Sequence, residues 1–348
     1  MPSTIRIEVA RAWAPRLLGA LVVLGCLDAA PTIAGAQAPH MQRASDTAFF
    51  VPAWAFPVLG SGKAPSTVGR DTGAIATLPT SRARFTVGHA RNGFDVADWN
   101  PETHGAPPAI VMHGRRPAVM ACGFCHLADG RGRPENAMLA GLPAAYIVEQ
   151  VHSLHSRTRG TASPVPFAAT ITMRGIADSV SDSELEEAAH YFAGLHARRL
   201  SRVVEAEVAP KSIALNGLYA LAPGGGSEPL AGRIIELPLD LRRHELHDPI
   251  AKYVAYVPKG SLARGRALAL GKVAGIRGCA SCHGEGLRGM GVAPPIAGRS
   301  PTYMLRQLIG FRTGARSGPA AQPMRAEMAG LTLDDMIAAA AYAGSLEP

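Results

Sequence analysis

Two pentapeptides constrain this chain more than anything else in it. They are Cys122-Gly123-Phe124-Cys125-His126 and, 157 residues later, Cys279-Ala280-Ser281-Cys282-His283. C-x-x-C-H is the attachment pattern of c-type haem. The two cysteines add across the porphyrin vinyl groups as thioethers, and the adjoining histidine supplies an axial nitrogen to the iron. A redox dithiol or a zinc site with a histidine beside it by chance competes for one such motif. A second match at a repeat spacing weighs heavily against that reading. The expected cofactor is haem c, two per chain, held covalently by Cys122, Cys125, Cys279 and Cys282, with His126 and His283 on the irons.

The motifs belong to a longer internal repeat. Gly141, Tyr146 and Gln150 stand at the same 157-residue offset from Gly298, Tyr303 and Gln307. Further on the offset is 151: Met173-Arg174 matches Met324-Arg325, Val180 matches Leu331, and Tyr191 matches Tyr342. The six-residue difference falls in a stretch with Gly160, Pro164 and Pro166, where insertion is well tolerated. One unit therefore occurs twice.

The N-terminus sets the compartment. Arg6, Arg11 and Arg16 precede an apolar run over 17–27, and Ala34-Gly35-Ala36 offers a small-residue cleavage site before Gln37. This layout predicts a signal peptide over 1–36 and export to the periplasm, the apolar run being short for a membrane span. A variant is lipid attachment at Cys26, which would give peripheral membrane association. Of the five cysteines, Cys26 would leave with the signal. The other four are consumed by haem, so no thiol remains for a disulfide, a zinc cluster or a nucleophile. The net charge of +8 is scattered, with no basic run, which argues against nucleic acid.

Helical periodicity runs through both copies. Ser181 to Glu184 forms a capping box opening a helix to about Leu195, and Thr332 to Asp335 opens its match. Middle helices are expected over 144–152 and 301–309, and a leading helix over 261–274. Before the first motif Pro117 breaks that pattern, leaving a short turn over 108–113. Residues 37–108 read as a Pro- and Gly-rich wrapping extension. Its Phe49, Phe50, Trp54 and Phe56 are expected over a haem edge or a domain junction. Residues 198–260 read as a linker with short strands over 233–237 and 253–257, expected as one β-hairpin. The expected fold class is all-α, with repeated domains over 109–197 and 261–348.

With these residues in place the chain resembles the class I cytochrome c family, and more closely its tandem dihaem, cytochrome c4-like members. The carriers are the two C-x-x-C-H motifs, the Gly…Tyr…Gln segments, Phe311-Arg312-Thr313-Gly314-Ala315-Arg316 and a methionine before each terminal helix. The first copy departs from the pattern: its leading helix is broken, and Leu154-His155-Ser156-Arg157 replaces the Phe-Arg-Thr-Gly stretch. The resemblance implies that Met173 and Met324 are second axial ligands. A soft thioether holds ferrous iron well and raises the potential relative to a second histidine. A lone methionine is more often core filler, but these two occupy matched positions. Met328 competes with Met324, although Ala177 stands at its counterpart. Arg131, Arg133, Arg288, Arg159 and Arg316 are candidates to reach haem propionates.

The resemblance implies an electron carrier, not an enzyme. It would pass single electrons between a donor dehydrogenase or quinol-oxidising complex and an acceptor oxidase or carrier. The competing class is a dihaem redox enzyme of the peroxidase kind, for which His152, His155, His190, His244 and His247 are unassigned histidines. A cytochrome subunit of a dehydrogenase complex shares the carrier's chemistry.

Overall fold

Helices carry the two repeated segments, and short strands carry much of what lies before and between them. The computed structural model describes residues 49–58 and 66–348, all within one unit. The expected signal peptide over 1–36, Cys26 and the first part of the extension lie outside the described residues.

In the extension, β1 (Ile75–Thr77) and β2 (Arg84–Thr86) form an antiparallel hairpin with Ile75 opposite Thr86, followed by the single-turn α1 (Val87–Ala90). Val68, Ala76, Leu78, Val87, Ala90, Ala97 and Trp99 share a small core with Leu246 of the linker. Trp99 satisfies its buried indole N–H on the Leu246 carbonyl at 2.7 Å.

The first copy holds α2 (Ala109–Met112), α3 (Cys122–His126), α4 (Ala144–His155), α5 (Ala168–Ala177) and α6 (Asp182–Ala193). The capping box opens α6: Ser181 accepts the Glu184 N–H, and the Glu184 carboxylate accepts the Ser181 N–H at 2.9 Å. Leu185, Ala188, Ala189 and Phe192 then face inward at helical spacing. The second copy holds α7 (Ser261–Ala269), α8 (Ala280–His283), α9 (Pro301–Thr313), α10 (Gln322–Met328) and α11 (Leu333–Ser345). Gly265 lets α7 cross α11 at close range, since a Cβ there would lie 2.1 Å from the Ala338 carbonyl oxygen. The leading helix stops at Ala269, short of 274, because Gly271 and Gly275 both turn at positive φ. Leu268, Leu305, Ile309, Met336 and Ile337 form the main core. Phe56 of the extension and Phe167 of the first copy pack edge to face in the same core at 5.8 Å.

The linker corrects the all-α expectation. It contains β3 (Ser201–Glu205), β4 (Val208–Pro210), β5 (Ser212–Ala214), β6 (Tyr219–Leu221), β7 (Ser227–Pro229), β8 (Ile235–Pro238) and β9 (Tyr253–Val257), with a short helix at Leu241–Glu245. Strand β9 is central, parallel to β3 (Ser201 opposite Tyr253) and antiparallel to β8 (Ile235 opposite Tyr256). The pairs β4–β7 and β5–β6 make two further small sheets. The strands expected over 233–237 and 253–257 are β8 and β9, paired antiparallel as expected, with a short helix between them. Sequence patterning misses the three-residue strands among the others for a physical reason: they are too short to display a period of two. All four residues of β8 are buried. One of them is Glu236, whose carboxylate accepts from Ser201 Oγ, Ser300 Oγ, the Thr302 N–H and Thr302 Oγ1. These four donors are what let a carboxylate sit buried in a strand. Among the described residues no helix is long and apolar enough to cross a membrane.

Candidate haem sites

Each pentapeptide winds into a single helical turn and ends on a residue with positive φ. That residue is Leu127 (φ 63°) in the first copy and Gly284 (φ 76°) in the second. The loops that follow repeat one another bond for bond. Gly132 N–H donates to the His126 carbonyl at 2.9 Å, and Gly289 N–H donates to the His283 carbonyl at 2.7 Å. Leu139 and Ala140 both donate to the Gly130 carbonyl, as Ile296 and Ala297 do to that of Leu287. Gly141 N–H reaches the Phe192 carbonyl, as Gly298 reaches that of Ala343. The sequence offsets of 157 and 151 are thus the offsets of the backbone hydrogen bonds.

Both histidines are only 7% exposed. His126 Nδ1 lies 2.8 Å from the Ala137 carbonyl oxygen, and His283 Nδ1 lies 2.8 Å from that of Pro294. A carbonyl only accepts, so Nδ1 carries the proton and Nε2 keeps the lone pair a metal needs. Burial pushes His126 down to about 4 and His283 below its ordinary range. Both rings are therefore neutral near pH 7, the ligating form.

Among the described residues no disulfide joins the cysteines of the two motifs. Burial raises Cys122 to about 12 and pushes Cys125 and Cys279 upward as well. Reactive dithiols and zinc thiolates need the opposite shift. Among the described residues no group of three or more His, Cys, Asp or Glu side chains could hold a metal ion directly. Two cysteines beside an oriented neutral imidazole, in a glycine-lined turn, fit covalently attached haem c.

Met324, half-buried on α10, packs against the same core that receives Cys279 and Ala280. Met328 is 4% exposed and inside that core. In the first copy Cys122 packs against a core with Ile110, Leu142 and Phe192, and Ile176 and Val180 pack there too. Met173, half-buried on α5, stands three residues before Ile176 but does not itself join that core.

The arginines divide in a way that composition does not reveal. Arg131 is spent on the linker, donating to the carbonyls of Pro249, Ala251, Arg199 and Leu200. Arg133 pairs with Glu135 at 3.1 Å, and Arg288 reaches the Glu347 carbonyl. Arg159 and Arg316 meet at the junction of the copies as an antiparallel backbone pair. Gly160 N–H donates to Ala315 at 2.6 Å there, and Ser317 N–H donates to Thr158 at 2.8 Å. Each arginine donates to the glutamine of its own copy, Gln150 or Gln307. Each also bonds the tyrosine of the other, Arg159 to Tyr303 at 2.9 Å and Arg316 to Tyr146. Sequence reasoning missed Arg174 and Arg325. Both Nε atoms are buried with no hydrogen-bond partner, and each arginine follows its copy's methionine. The matched Met-Arg pairs were the signal that could have found them.

The unassigned histidines are otherwise engaged. His152 and His155 pair with Asp182 and Asp178. His190 is exposed. His244 Nδ1 bonds the Tyr253 hydroxyl at 3.0 Å. His247 is stacked on Phe124 at 4.6 Å.

Residues 262–347 match the family model of cytochrome c. The chain is 28% identical over 206 residues to the thiosulfate dehydrogenase electron acceptor of Stutzerimonas stutzeri, covering 58% of this chain and 68% of the relative. It is 25% identical over 227 residues to cytochrome c4 of Pseudomonas aeruginosa, covering 64% of this chain and 81% of the relative. Among solved structures, thiosulfate dehydrogenase (TsdBA) of Marichromatium purpuratum matches at 23% identity and a TM-score of 0.44. That match takes in 75% of this chain, which spans 40% of the longer protein. The bond-for-bond loops and the oriented histidines agree with the cytochrome c family match over residues 262–347 and with the cytochrome c4 relatives: they support an electron-transfer cytochrome of the class I c type with covalently bound haem c, similar to cytochrome c4.

Proposed function

We propose that the chain holds two haem c groups and works in the periplasm as a carrier of single electrons. The observation that carries this reading is the same Nδ1-to-carbonyl bond, one repeat apart, beside each pair of cysteines. Cys122 and Cys125 would hold one haem, and Cys279 and Cys282 the other. His126 and His283 would offer Nε2 to the irons, with Met173 and Met324 as the second ligands. When bound, haem c supplies an iron that changes oxidation state by one electron. The protein's own work is to fix the ligands and bury the site.

The likeness to the thiosulfate dehydrogenase electron acceptor supports a periplasmic dehydrogenase as donor. A quinol-oxidising complex fills the same role, and a terminal oxidase or second carrier takes the electrons onward. The test is the intact mass of protein recovered from a periplasmic extract of a haem-maturing host. Two haems per mature chain are expected, falling to one in Cys122→Ala and in Cys279→Ala. Two haems surviving in either variant, or a single haem in the unaltered protein, would overturn the reading.

A further inference from the structure

The carbonyls that orient the two histidines sit in loops joined by one side chain. His126 donates from Nδ1 to Ala137, and His283 donates from Nδ1 to Pro294. Arg299, of the second copy, is buried. Its Nε donates to the Pro295 carbonyl at 2.7 Å, and its Nη1 donates to the Met138 carbonyl. Each of these acceptors is the residue next after a carbonyl that holds a histidine. Four hydrogen bonds and short backbone links therefore run from one imidazole to the other: His126 to Ala137, Met138 to Arg299, Arg299 to Pro295, and Pro294 to His283. Burial pushes the Arg299 guanidinium down to about 10, so it remains a cation at neutral pH.

The first copy does not return the bridge. The residue matched to Arg299 there is Leu142, which packs in that copy's apolar core. Arg306, on α9, supplies a contrast. It is buried as well, its Nη2 donates to the Pro134 carbonyl, in the loop that carries Ala137, and its Nη1 donates to Ala55 of the extension at 3.4 Å. Of the two histidine loops, Arg306 thus grips the first, whereas Arg299 grips both. A hydrogen bond from Nδ1 fixes the orientation of a ligating imidazole and tunes its electron donation, so a group that places the accepting carbonyl acts on the metal. A cation in a low-dielectric interior also favours the gain of an electron nearby.

We propose that Arg299 is a positioning residue for both haems at once: one guanidinium sets the carbonyls that hold the two axial histidines, and with them both reduction potentials. The inference rests on the two-haem reading above and adds to it a single control point for the pair. The charge of Arg299 favours the ferrous form at each site, because an electron gained there is a negative charge placed near a buried cation. Its two hydrogen bonds hold the histidine loops of both copies in one geometry, so a change at Arg299 reaches His126 in the other copy as well as His283.

The experiment uses the mature holoprotein and its Arg299→Gln, Arg299→Lys and Arg306→Gln variants. Intact mass and peptide mapping first count haem at each motif, so that a one-haem protein would sink the two-haem reading and not be mistaken for failure of the bridge. Potentiometric titration then follows both haems, and NMR of isotope-labelled reduced protein follows the Nδ1–H signals of His126 and His283. In Arg299→Gln both signals should shift and both potentials fall, the ferrous-to-ferric ratio at a fixed ambient potential dropping about tenfold at each haem. Arg299→Lys keeps the charge and should hold that ratio within about twofold. Arg306→Gln should shift the His126 signal and leave that of His283 in place. Haem count should hold in all three. In the unaltered protein, independently of how any variant folds, the Arg299 Nε–H signal should move at both reduction steps. A shift at one histidine alone in Arg299→Gln, unchanged potentials there, an equal fall in Arg299→Lys, or an Arg299 signal that responds to one step only would overturn the proposal. So would an Arg306→Gln that moves both histidines, since loosening of the junction would then account for the effect.

Discussion

Met324 and Met328 stand one turn apart on α10 and differ in burial, and the proposed function gives them different work. Met328 fills the core, so Met328→Ala should cost about 2–4 kcal/mol in denaturant unfolding and leave both reduction potentials in place. Met324 is half-buried, and Met324→His should lower the potential of one haem, because imidazole favours ferric iron over the thioether's preference for ferrous. A potentiometric titration in which Met328→His shifts a potential and Met324→His does not would exchange the two roles. Arginines, too, are told apart only by the fold. Arg131 spends its terminal nitrogens on four backbone carbonyls of the linker, while its Nε, like that of Arg174, is buried without a hydrogen-bond partner. A long side chain finds its partner only where the fold brings one, so neither outcome was legible beforehand.

Among the elements, α6 carries the clearest pH signature. The Arg115 guanidinium, 2.7 Å away, and the Ser181 N–H hold the Glu184 carboxyl down at about 2, against an ordinary value near 4.5. A carboxylate depressed on folding stabilises the native state above its unfolded pKa and loses that contribution as pH falls through the folded one. Arg115 is half exposed and water screens the pair, so the effect is small. Glu184→Gln should cost about 0.5–1 kcal/mol at pH 6, and the deficit should shrink as pH drops from about 4.5 toward 2. Urea titrations of both proteins across that range check it; a deficit that stays constant to pH 2 would remove the ion pair as its cause. Capping boxes such as Ser181–Glu184 and Thr332–Asp335 are readable in sequence because cap and partner lie three residues apart. Of the linker strands only β8 and β9 were, over 233–237 and 253–257. The others have distant partners, Ser201 against Tyr253 for one, and the three-residue ones are too short to show the alternation that marks a strand.

At the scale of the whole molecule the histidines bear on the proposed carrier against a peroxidase. His152 and His155 are paired with aspartates, His244 is bonded to tyrosine, His190 is exposed and His247 lies against the Phe124 ring. Reduced protein mixed with hydrogen peroxide should therefore be oxidised slowly and without saturation, and resonance Raman spectra should show low-spin haem in both oxidation states. Fast, saturable oxidation with a five-coordinate high-spin signal would replace the carrier with a peroxidase. By itself the sequence determined the two C-x-x-C-H turns, the repeat with its two offsets, the short turn before the first motif and the capped terminal helices. Each of these depends on residues a few positions apart or on a copy of the same pattern. Only the tertiary structure decided that one pentapeptide is roofed and the other open. The roof is made by Gly93, Val96 and His247, and His247 reaches Phe124 from 123 residues away along the chain. Burial is a property of which segments arrive, and nothing in the local pattern of either motif records that.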